Sequence, residues 1–243
     1  SVAALLAAGL WPLAGAAQTP AAKPAKPAAA PEIKETNPVK CTLFIGKMPQ
    51  EAELTGRAVK TNQLIAKINF KIVPVHFDTI KAVDFAVDFV EDTVDVMLRE
   101  ERFQDAADLL VNTYAQTVPY LDLPENNAVS PLLLAGSNYL KAAEREAMKT
   151  GVITVTPDAA ENYKRAYKVF RTLIKAEWFS GSKVAEVKSL FCLLRLDRVA
   201  EVEKALEDLV EPSPGEVSFG GYWMVRAYLY YKQQKVRDAM EAA

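Results

Sequence analysis

The side chains that most often perform catalysis or bind metals are scarce in this sequence. Its 243 residues include a single histidine, His76, and two cysteines, Cys41 and Cys192. A zinc site needs several His, Cys or acidic ligands at close spacing, and a nucleophile needs a base that activates it. Asp and Glu are plentiful but fall on faces expected to be solvated. The sequence therefore predicts no catalytic residue, no metal site and no cofactor, and we expect a protein that is not an enzyme.

The two cysteines leave the question of a disulfide open. Cys41 begins the short apolar run "CTLFIG", and Cys192 lies within "SLFCLLRL". An even number of cysteines permits one bridge in an exported protein, whereas a cysteine in an apolar run also behaves as a small buried hydrophobe. The sequence is compatible with a disulfide between Cys41 and Cys192 and with two free thiols.

The overall composition is that of a globular protein without affinity for polyanions. Half of the residues are hydrophobic, a quarter are charged, and the formal net charge is −2. The basic residues do not form the clusters that grip a phosphate backbone. Nucleic acid is therefore excluded as a partner.

The first 17 residues, "SVAALLAAGLWPLAGAA", carry no charge and end in small residues. This pattern is typical of a secretory signal peptide that lacks its basic n-region. The run is shorter than the roughly 20 residues of a membrane-spanning helix, which favours a signal peptide that is cleaved. An uncleaved membrane anchor is the alternative. We expect an exported protein, periplasmic or associated with the cell envelope, without a transmembrane span after cleavage.

Residues 18–40 and 41–76 differ from the rest of the chain in composition and pattern. Five prolines and many alanines fill residues 18–40, which predicts a disordered, semi-rigid tether. Residues 41–76 contain a short strand-like run and a probable helix. We interpret this second segment as a capping or non-repeat element.

From residue 77 onward the spacing of apolar residues predicts helices. Ile80, Val83, Val87, Val90 and Val94 follow one another at three- and four-residue steps. Later helices are marked by a capping residue before proline, at Ser130–Pro131 and Thr156–Pro157. Short polar connections between successive helices predict antiparallel hairpins. The sequence thus predicts an all-α fold over residues 77–243.

Several of these segments carry a recurring pattern of small and aromatic residues. In the last segment the pattern consists of Trp223, Ala227, Tyr230 and Ala239. An earlier segment has Leu132, Ala135, Gly136 and Tyr139 at the same steps, followed by Ala166 and Phe170. This pattern resembles the tetratricopeptide repeat (TPR) family. The resemblance implies helical hairpins stacked as a solenoid, which would be incomplete where the sequence stops.

The resemblance also implies a binding groove. Members of the family line a concave groove with residues from the first helix of each hairpin. At the matching positions, Lys141, Arg195 and Lys232 would form a line of cations, which would attract an acidic segment or a C-terminal carboxylate. The groove residues implied by the resemblance are Ser137, Lys141, Phe191, Arg195, Tyr228, Tyr231 and Lys232.

Three functions follow from these expectations. The first is an exported scaffold or adaptor that binds a protein or peptide in the cell envelope. The second is a glycan- or nutrient-binding protein of the cell surface, suggested by the aromatic cluster around Tyr228. The third is the non-catalytic part of a larger envelope enzyme. The identity of the partner and the oligomeric state stay open.

Overall fold

The computed structural model describes residues 33–58, 61–88, 90–149 and 155–242. Their fold is α+β, with an antiparallel sheet followed by a series of helices. The strands are β1 (Ile33–Ile45), β2 (Met48–Ala58), β3 (Gln63–Ile68), β4 (Lys71–His76) and β5 (Ile80–Phe85). The helices are α1 (Glu91–Arg99), α2 (Phe103–Thr113), α3 (Val129–Lys149), α4 (Pro157–Leu173), α5 (Gly181–Arg195), α6 (Val199–Asp208), α7 (Phe219–Lys232) and α8 (Val236–Ala242).

The sheet has the strand order β4-β3-β2-β1-β5, and every neighbouring pair is antiparallel. Alternate residues along the strands are buried on one face, among them Leu43 in β1, Leu54 in β2 and Leu64 in β3. Since side chains of a strand alternate between the two faces, this pattern fixes which face of the sheet enters the core.

The two outer strands of the sheet are β4 and β5. Pro74 lies in the middle of β4, opposite Ile65 of β3. Proline has no backbone N–H and is tolerated in a sheet mainly on an edge strand, which is where it lies here.

The buried face of the sheet packs against the segment between α2 and α3. Tyr120 ends a short 3₁₀ turn there, is fully buried, and lies 6.0 Å from the Phe85 ring between centroids. Arg57 of β2 donates hydrogen bonds from its two terminal nitrogens to the two carboxylate oxygens of Asp122, at 3.1 and 2.5 Å. This forked ion pair ties the sheet to the helical part of the chain.

Successive helices pack on one another, and local sequence signals mark some of their ends. Thr156 is the N-cap of α4, because its hydroxyl oxygen accepts a hydrogen bond from the Ala159 amide at 3.2 Å. The predicted cap at this residue is confirmed. The other predicted cap, Ser130, is wrong, since α3 begins one residue earlier at Val129.

Helices α3 and α4 approach closely and run antiparallel. Gly136 near the start of α3 faces Phe170 near the end of α4, whereas Glu144 near the end of α3 accepts a hydrogen bond from Tyr163 near the start of α4. A Cβ atom at residue 136 would lie 2.6 Å from Phe170 Cε1. The glycine thus allows the Phe170 ring to lie directly on the backbone of α3.

The buried side chains form two hydrophobic clusters. The larger cluster joins the sheet to α1, α2, α3, α4 and part of α5. The smaller joins α5, α6 and α7 and includes Leu194, Val202 and Val225. Helix α5 contributes to both, with Cys192 in the first and Leu194 in the second. It therefore connects the two halves of the hydrophobic interior.

The predicted all-α fold is wrong, and with it the prediction that the chain is a TPR-like solenoid. Five strands precede the first helix. Residues 80–85, expected to open an amphipathic helix, form β5 instead, because Val83 pairs with Leu43 of β1 and is buried there. The helical part therefore begins at Glu91 rather than at residue 77.

The boundaries predicted before residue 77 also change. Residues 41–76 form most of the sheet, and the helix expected among them is replaced by strands β2 and β3. Strand β1 begins at Ile33, within the segment predicted to be a disordered tether from 18 to 40. The predicted signal peptide, residues 1–17, and the tether up to residue 32 lie outside the described residues.

Candidate binding face on helices α3, α5 and α7

Helices α3, α5 and α7 lie side by side and form one continuous surface. Ser137 of α3 contacts Lys188 of α5, and Phe191 of α5 contacts Tyr228 of α7. Gly221 near the start of α7 lies against Val187 of α5, and Tyr228 further along α7 contacts Phe191 further along α5, so the two helices run parallel. We call this surface the α3–α5–α7 face.

Two lysines, Lys141 of α3 and Lys188 of α5, repel one another electrostatically, and Lys141 Nζ lies 5.6 Å from the centre of the Phe103 ring of α2. Lys188 Nζ donates a hydrogen bond to Ser137 Oγ at 2.8 Å and lies 5.8 Å from the centre of the Phe170 ring. Partial burial and repulsion from the Lys141 ammonium lower the pKa of Lys188. Within the described ranges, neither lysine forms an ion pair with a carboxylate.

The middle of the face is occupied by Arg195, which is held by three other side chains. Its Nε donates to the Tyr163 hydroxyl at 2.8 Å and lies 3.3 Å from Glu144 Oε1, while a terminal nitrogen donates to the Tyr228 hydroxyl at 3.2 Å. Burial opposes the charge, but the bonds to Tyr163 and Tyr228 and the attraction of Glu144 raise the pKa of Arg195 overall. Arg195 thus joins α3, α4, α5 and α7.

The other end of the face is aromatic. The Phe191 and Tyr228 rings lie 6.1 Å apart between centroids. Tyr228 stacks on Tyr231 at 6.2 Å with an interplanar angle of 9°, and Tyr231 is 58% exposed. Lys232 Nζ donates to the Asp197 carboxylate at 2.9 Å, and this bond lowers the pKa of Asp197. Apolar ring surface is therefore accessible beside a paired cation.

The structure gives six residues of the predicted groove contacts on this face: Ser137, Phe191, Arg195, Tyr228, Tyr231 and Lys232. The seventh, Lys141, lies over the Phe103 ring of α2. The role of all seven in binding stays a prediction. In the predicted line of cations, Arg195 and Lys232 each have an acidic partner, and Lys141 has none among the described residues. The sequence interpretation missed Lys188. It lies three residues before Phe191 and seven before Arg195, a spacing that places all three on one side of a helix.

The residues examined first for chemistry lie elsewhere. His76 is exposed on β4, with its Nε2 atom 2.7 Å from Gln63 Nε2. Cys41 and Cys192 are both buried and unpaired, and burial raises the pKa of each thiol to about 12. Across the part of the chain that the structure describes, no three His, Cys, Asp or Glu residues converge in a way that could hold a metal ion.

None of the described helices has both the length and the apolar character needed to cross a bilayer. No family model, curated protein or solved structure matches this chain.

Proposed function

We propose that the protein is an exported, non-catalytic binding protein of the cell envelope, and that its α3–α5–α7 face holds an acidic segment of a partner protein. One observation carries the proposal. Lys141 and Lys188 repel one another and have no carboxylate partner among the described residues, and the exposed Tyr231 ring lies on the α7 side of the same face. Export is supported by the apolar residues 1–17.

The two lysines would gain from an acidic ligand for an electrostatic reason. Burial and a like charge both disfavour the protonated form of Lys188, as its lowered pKa indicates. A carboxylate placed between Lys188 and Lys141 would reverse the second effect and add charge-assisted hydrogen bonds. Glu144, the acidic residue one turn beyond Lys141 on α3, is already engaged by Arg195 and Tyr163.

The aromatic end of the face would hold the apolar side chains of the same segment. Tyr231 and Met224 are exposed there, and Phe191 and Tyr228 are half-buried beneath them. Aromatic side chains that are rigidly held supply much of the binding energy in protein interfaces. Arg195 fixes Tyr228 through a hydrogen bond, so this ring is already ordered before a ligand arrives.

The proposal is tested by fluorescence anisotropy with the full chain. The probe is a labelled peptide rich in Glu with one Phe, and its counterpart carries Lys in place of Glu. We expect saturable binding of the acidic peptide alone, weakened by added salt. Lys141→Gln combined with Lys188→Gln should weaken it about a hundredfold or more, as expected for the loss of two charge-assisted bonds.

The matched control is Lys204→Gln, an exposed lysine on α6 away from the face. This variant should bind the acidic peptide as the unaltered chain does. Equal binding of the two peptides, or an equal loss in the control variant, would falsify the proposal.

A second candidate function is supported by the Tyr228–Tyr231 stack. A flat and exposed aromatic surface such as that of Tyr231 also suits the apolar face of a sugar ring. Retention on immobilised polysaccharide, lost on Tyr231→Ala and kept in the double Lys→Gln variant, would favour a glycan over an acidic peptide.

A further inference from the structure

The turn between β3 and β4 places a phenylalanine where the backbone favours glycine. Ile68 of β3 pairs with Lys71 of β4, so Asn69 and Phe70 form a two-residue turn, and their φ angles are 48° and 66°. Positive φ at both central residues is what a type I′ hairpin turn requires, and Asn-Gly is its preferred sequence. Asparagine tolerates positive φ, whereas a bulky side chain adopts it at a cost. Phe70 therefore disfavours the turn in which it lies.

The Phe70 side chain gains nothing from the fold in return. It is 94% exposed, more than any other large apolar side chain in the described ranges, and it belongs to neither hydrophobic cluster. Ile72, two residues further along, is 70% exposed. A side chain that strains its own backbone and lies in water points to a contact outside the folded chain.

A second turn at the same end of the sheet also exposes apolar side chains. Strands β1 to β4 form successive antiparallel hairpins, so the β1–β2 turn and the β3–β4 turn lie at the same end. Beside the first turn Met48 is 69% exposed, next to the exposed Lys47. We call the exposed side chains of the two turns the tip surface, which consists of Phe44, Lys47, Met48, Phe70, Lys71 and Ile72.

The charge around the tip surface is positive, although the whole chain carries −2. Residues 36–77 contain six Lys or Arg and two Glu. One of these acids, Glu53, lies 3.7 Å from Lys67. Lys47 and Lys71, which stand at the two turns, form no ion pair with any residue that the structure describes. The ends of both hairpins therefore attract anions.

An exposed ring beside unpaired ammonium groups suits the surface of an anionic lipid bilayer. Phe70 lies at the end of a hairpin, where the surface is convex, whereas the anchor residues of protein interfaces lie in a packed and desolvated centre. A convex apolar tip can enter the fluid headgroup region, and lysines beside it contact lipid phosphates. A bilayer thus supplies both the apolar surroundings of the ring and the counter-charges of the lysines.

We propose that the tip surface docks on an anionic lipid bilayer. The Phe70 ring and the Ile72 side chain enter the boundary between headgroups and acyl chains, and Lys47 and Lys71 lie on lipid phosphates. No residue of the α3–α5–α7 face belongs to the tip surface. The inference therefore goes beyond the proposed function and does not rest on it.

The test follows residue 70 in the full chain, because the apolar residues 1–17 can bind lipid themselves. Phe70→Trp is mixed with vesicles of phosphatidylglycerol and, separately, of phosphatidylcholine, both containing lipids brominated near the headgroup. The signal of the unaltered chain, which has three tryptophans, is subtracted. We expect a blue shift and quenching on the anionic vesicles alone, weakened by added salt.

The matched control is Val210→Trp, because Val210 is 85% exposed but lies between α6 and α7. This variant should show no quenching. Lys47→Gln and Lys71→Gln, added to Phe70→Trp, should raise the lipid concentration for half-maximal quenching about tenfold or more. Equal quenching in the control, equal quenching on both vesicles or an unchanged half-point overturns the proposal. Quenching on neither vesicle overturns it as well, and would assign the tip surface to a protein partner.

A second measurement needs no lipid. Phe70→Gly converts the turn to Asn-Gly and removes both the backbone strain and the exposed ring. Thermal denaturation of this variant should give a higher midpoint than that of the unaltered chain. A lower midpoint would show that the ring serves the fold itself, and the inference would be overturned.

Discussion

Arg195 on α5 donates a hydrogen bond from Nε to the Tyr163 hydroxyl on α4, at 2.8 Å, and lies 5.4 Å from the centre of the same ring. Glu144 on α3 completes the cluster by accepting from Tyr163. The arrangement occurs twice, since Tyr139 donates to Asp108 and Arg165 lies 3.2 Å from the same carboxylate. Each cluster thus connects three successive helices through one tyrosine, one acid and one arginine.

Replacing Arg195 should lower the stability of the fold as well as alter the α3–α5–α7 face. Arg195→Ala leaves Glu144 without its cation and Tyr228 without its donor. We expect the free energy of unfolding to fall by about 1.5–3 kcal/mol, measured by urea denaturation. Arg195→Lys should recover only part of this loss, because an ammonium lacks the planar fork.

The control for this experiment is Arg237→Ala, which removes an exposed arginine paired with Glu241 along α8. Exposed pairs of this kind contribute little, so no measurable change is expected. A loss as large as that of Arg195→Ala would contradict the structural role assigned to Arg195.

Adding a single methyl group at Gly136 should destabilise the α3–α4 pair. The new Cβ would lie within 3.1 Å of three atoms of the buried Phe170 ring. We expect Gly136→Ala to lower the free energy of unfolding by about 1–3 kcal/mol despite the better helix propensity of alanine. Phe170→Leu in the same chain should restore part of the loss.

Gly220 on α7 provides the opposite case, because a Cβ there would contact nothing within 4 Å. Gly220→Ala should leave the stability unchanged or raise it by up to about 1 kcal/mol. If both substitutions shift the thermal midpoint in the same direction, the close approach of α3 and α4 does not cause the change in stability of Gly136→Ala.

Raising the pH above 9 should destabilise the protein through its two buried thiols. The thiol pKa rises from 9.0 to about 12 in the fold, because burial disfavours the thiolate at Cys192 and at Cys41, where Asp84 adds repulsion. At pH values between 9 and 12, the thiols of the unfolded chain have lost their protons, whereas those of the folded chain still retain them. The contribution of the two thiols to the stability of the fold is therefore complete below pH 9 and is lost as the pH rises toward 12.

Urea denaturation from pH 7 to 11 measures this effect, with the double variant Cys41→Ala and Cys192→Ala as the comparison. Above pH 9 the free energy of unfolding of the variant should fall less steeply with pH than that of the unaltered chain. Below pH 8 the two should have the same slope. Some slope should remain, since burial and neighbouring carboxylates also raise the pKa of Tyr139 and Tyr163. Identical slopes above pH 9 would show that the thiols ionise normally in the fold.

Asn138 should be replaceable by alanine without loss of stability. Its side chain is fully buried in α3, and neither its amide nitrogen nor its amide oxygen has a hydrogen-bond partner among the described residues. Removing an unsatisfied amide gains about 1–3 kcal/mol, which offsets the packing that is lost. Thermal denaturation should therefore give a midpoint equal to or above that of the unaltered chain.

Leu132→Ala on the same helix is the comparison, because Leu132 is an apolar residue at 2% exposure. Its loss should cost about 2–5 kcal/mol. A similar cost for Asn138→Ala would mean that the amide does form hydrogen bonds in solution.

The sequence was sufficient to predict most helices after residue 129 but little of the sheet beyond a short strand-like run in residues 41–76. Helix α4 was identified by local chemistry, since Thr156 and Pro157 specify its start without help from distant residues. The strands depend instead on pairing between distant residues, such as Val83 with Leu43. Ile80 and Val83 lie three residues apart, a spacing equally compatible with a helix, so periodicity alone misled the interpretation.

Strand β2 shows why the sheet was difficult to predict. Its sequence, "MPQEAELTGRA", contains several good helix formers, yet Ala52, Leu54 and Ala58 lie on the buried face at even spacing. Here the tertiary pairing with β1 and β3 prevails over local propensity. Small residues at alternate positions gave too weak an apolar pattern to predict the strand.

The members of the candidate face were predicted only in part, and its electrostatics were not. The resemblance to the tetratricopeptide repeat placed Phe191, Tyr228 and Tyr231 in one groove, and their rings do lie near one another. The partners of Arg195 could not be predicted, because Glu144 and Tyr163 come from two other helices. Likewise, the effect of Lys141 on Lys188 depends on how α3 lies against α5, which no local pattern specifies.

Pro74 has a consequence for association between molecules. Among the described residues, β4 has a neighbouring strand on one side only, and Phe70 just before it and Ile72 within it are largely exposed. An edge of this kind can recruit a strand from a second molecule and start aggregation. A proline in the middle of β4 interrupts the row of amide donors, and Lys71 adds a charge at its start, so the edge is a poor template for growth into fibrils.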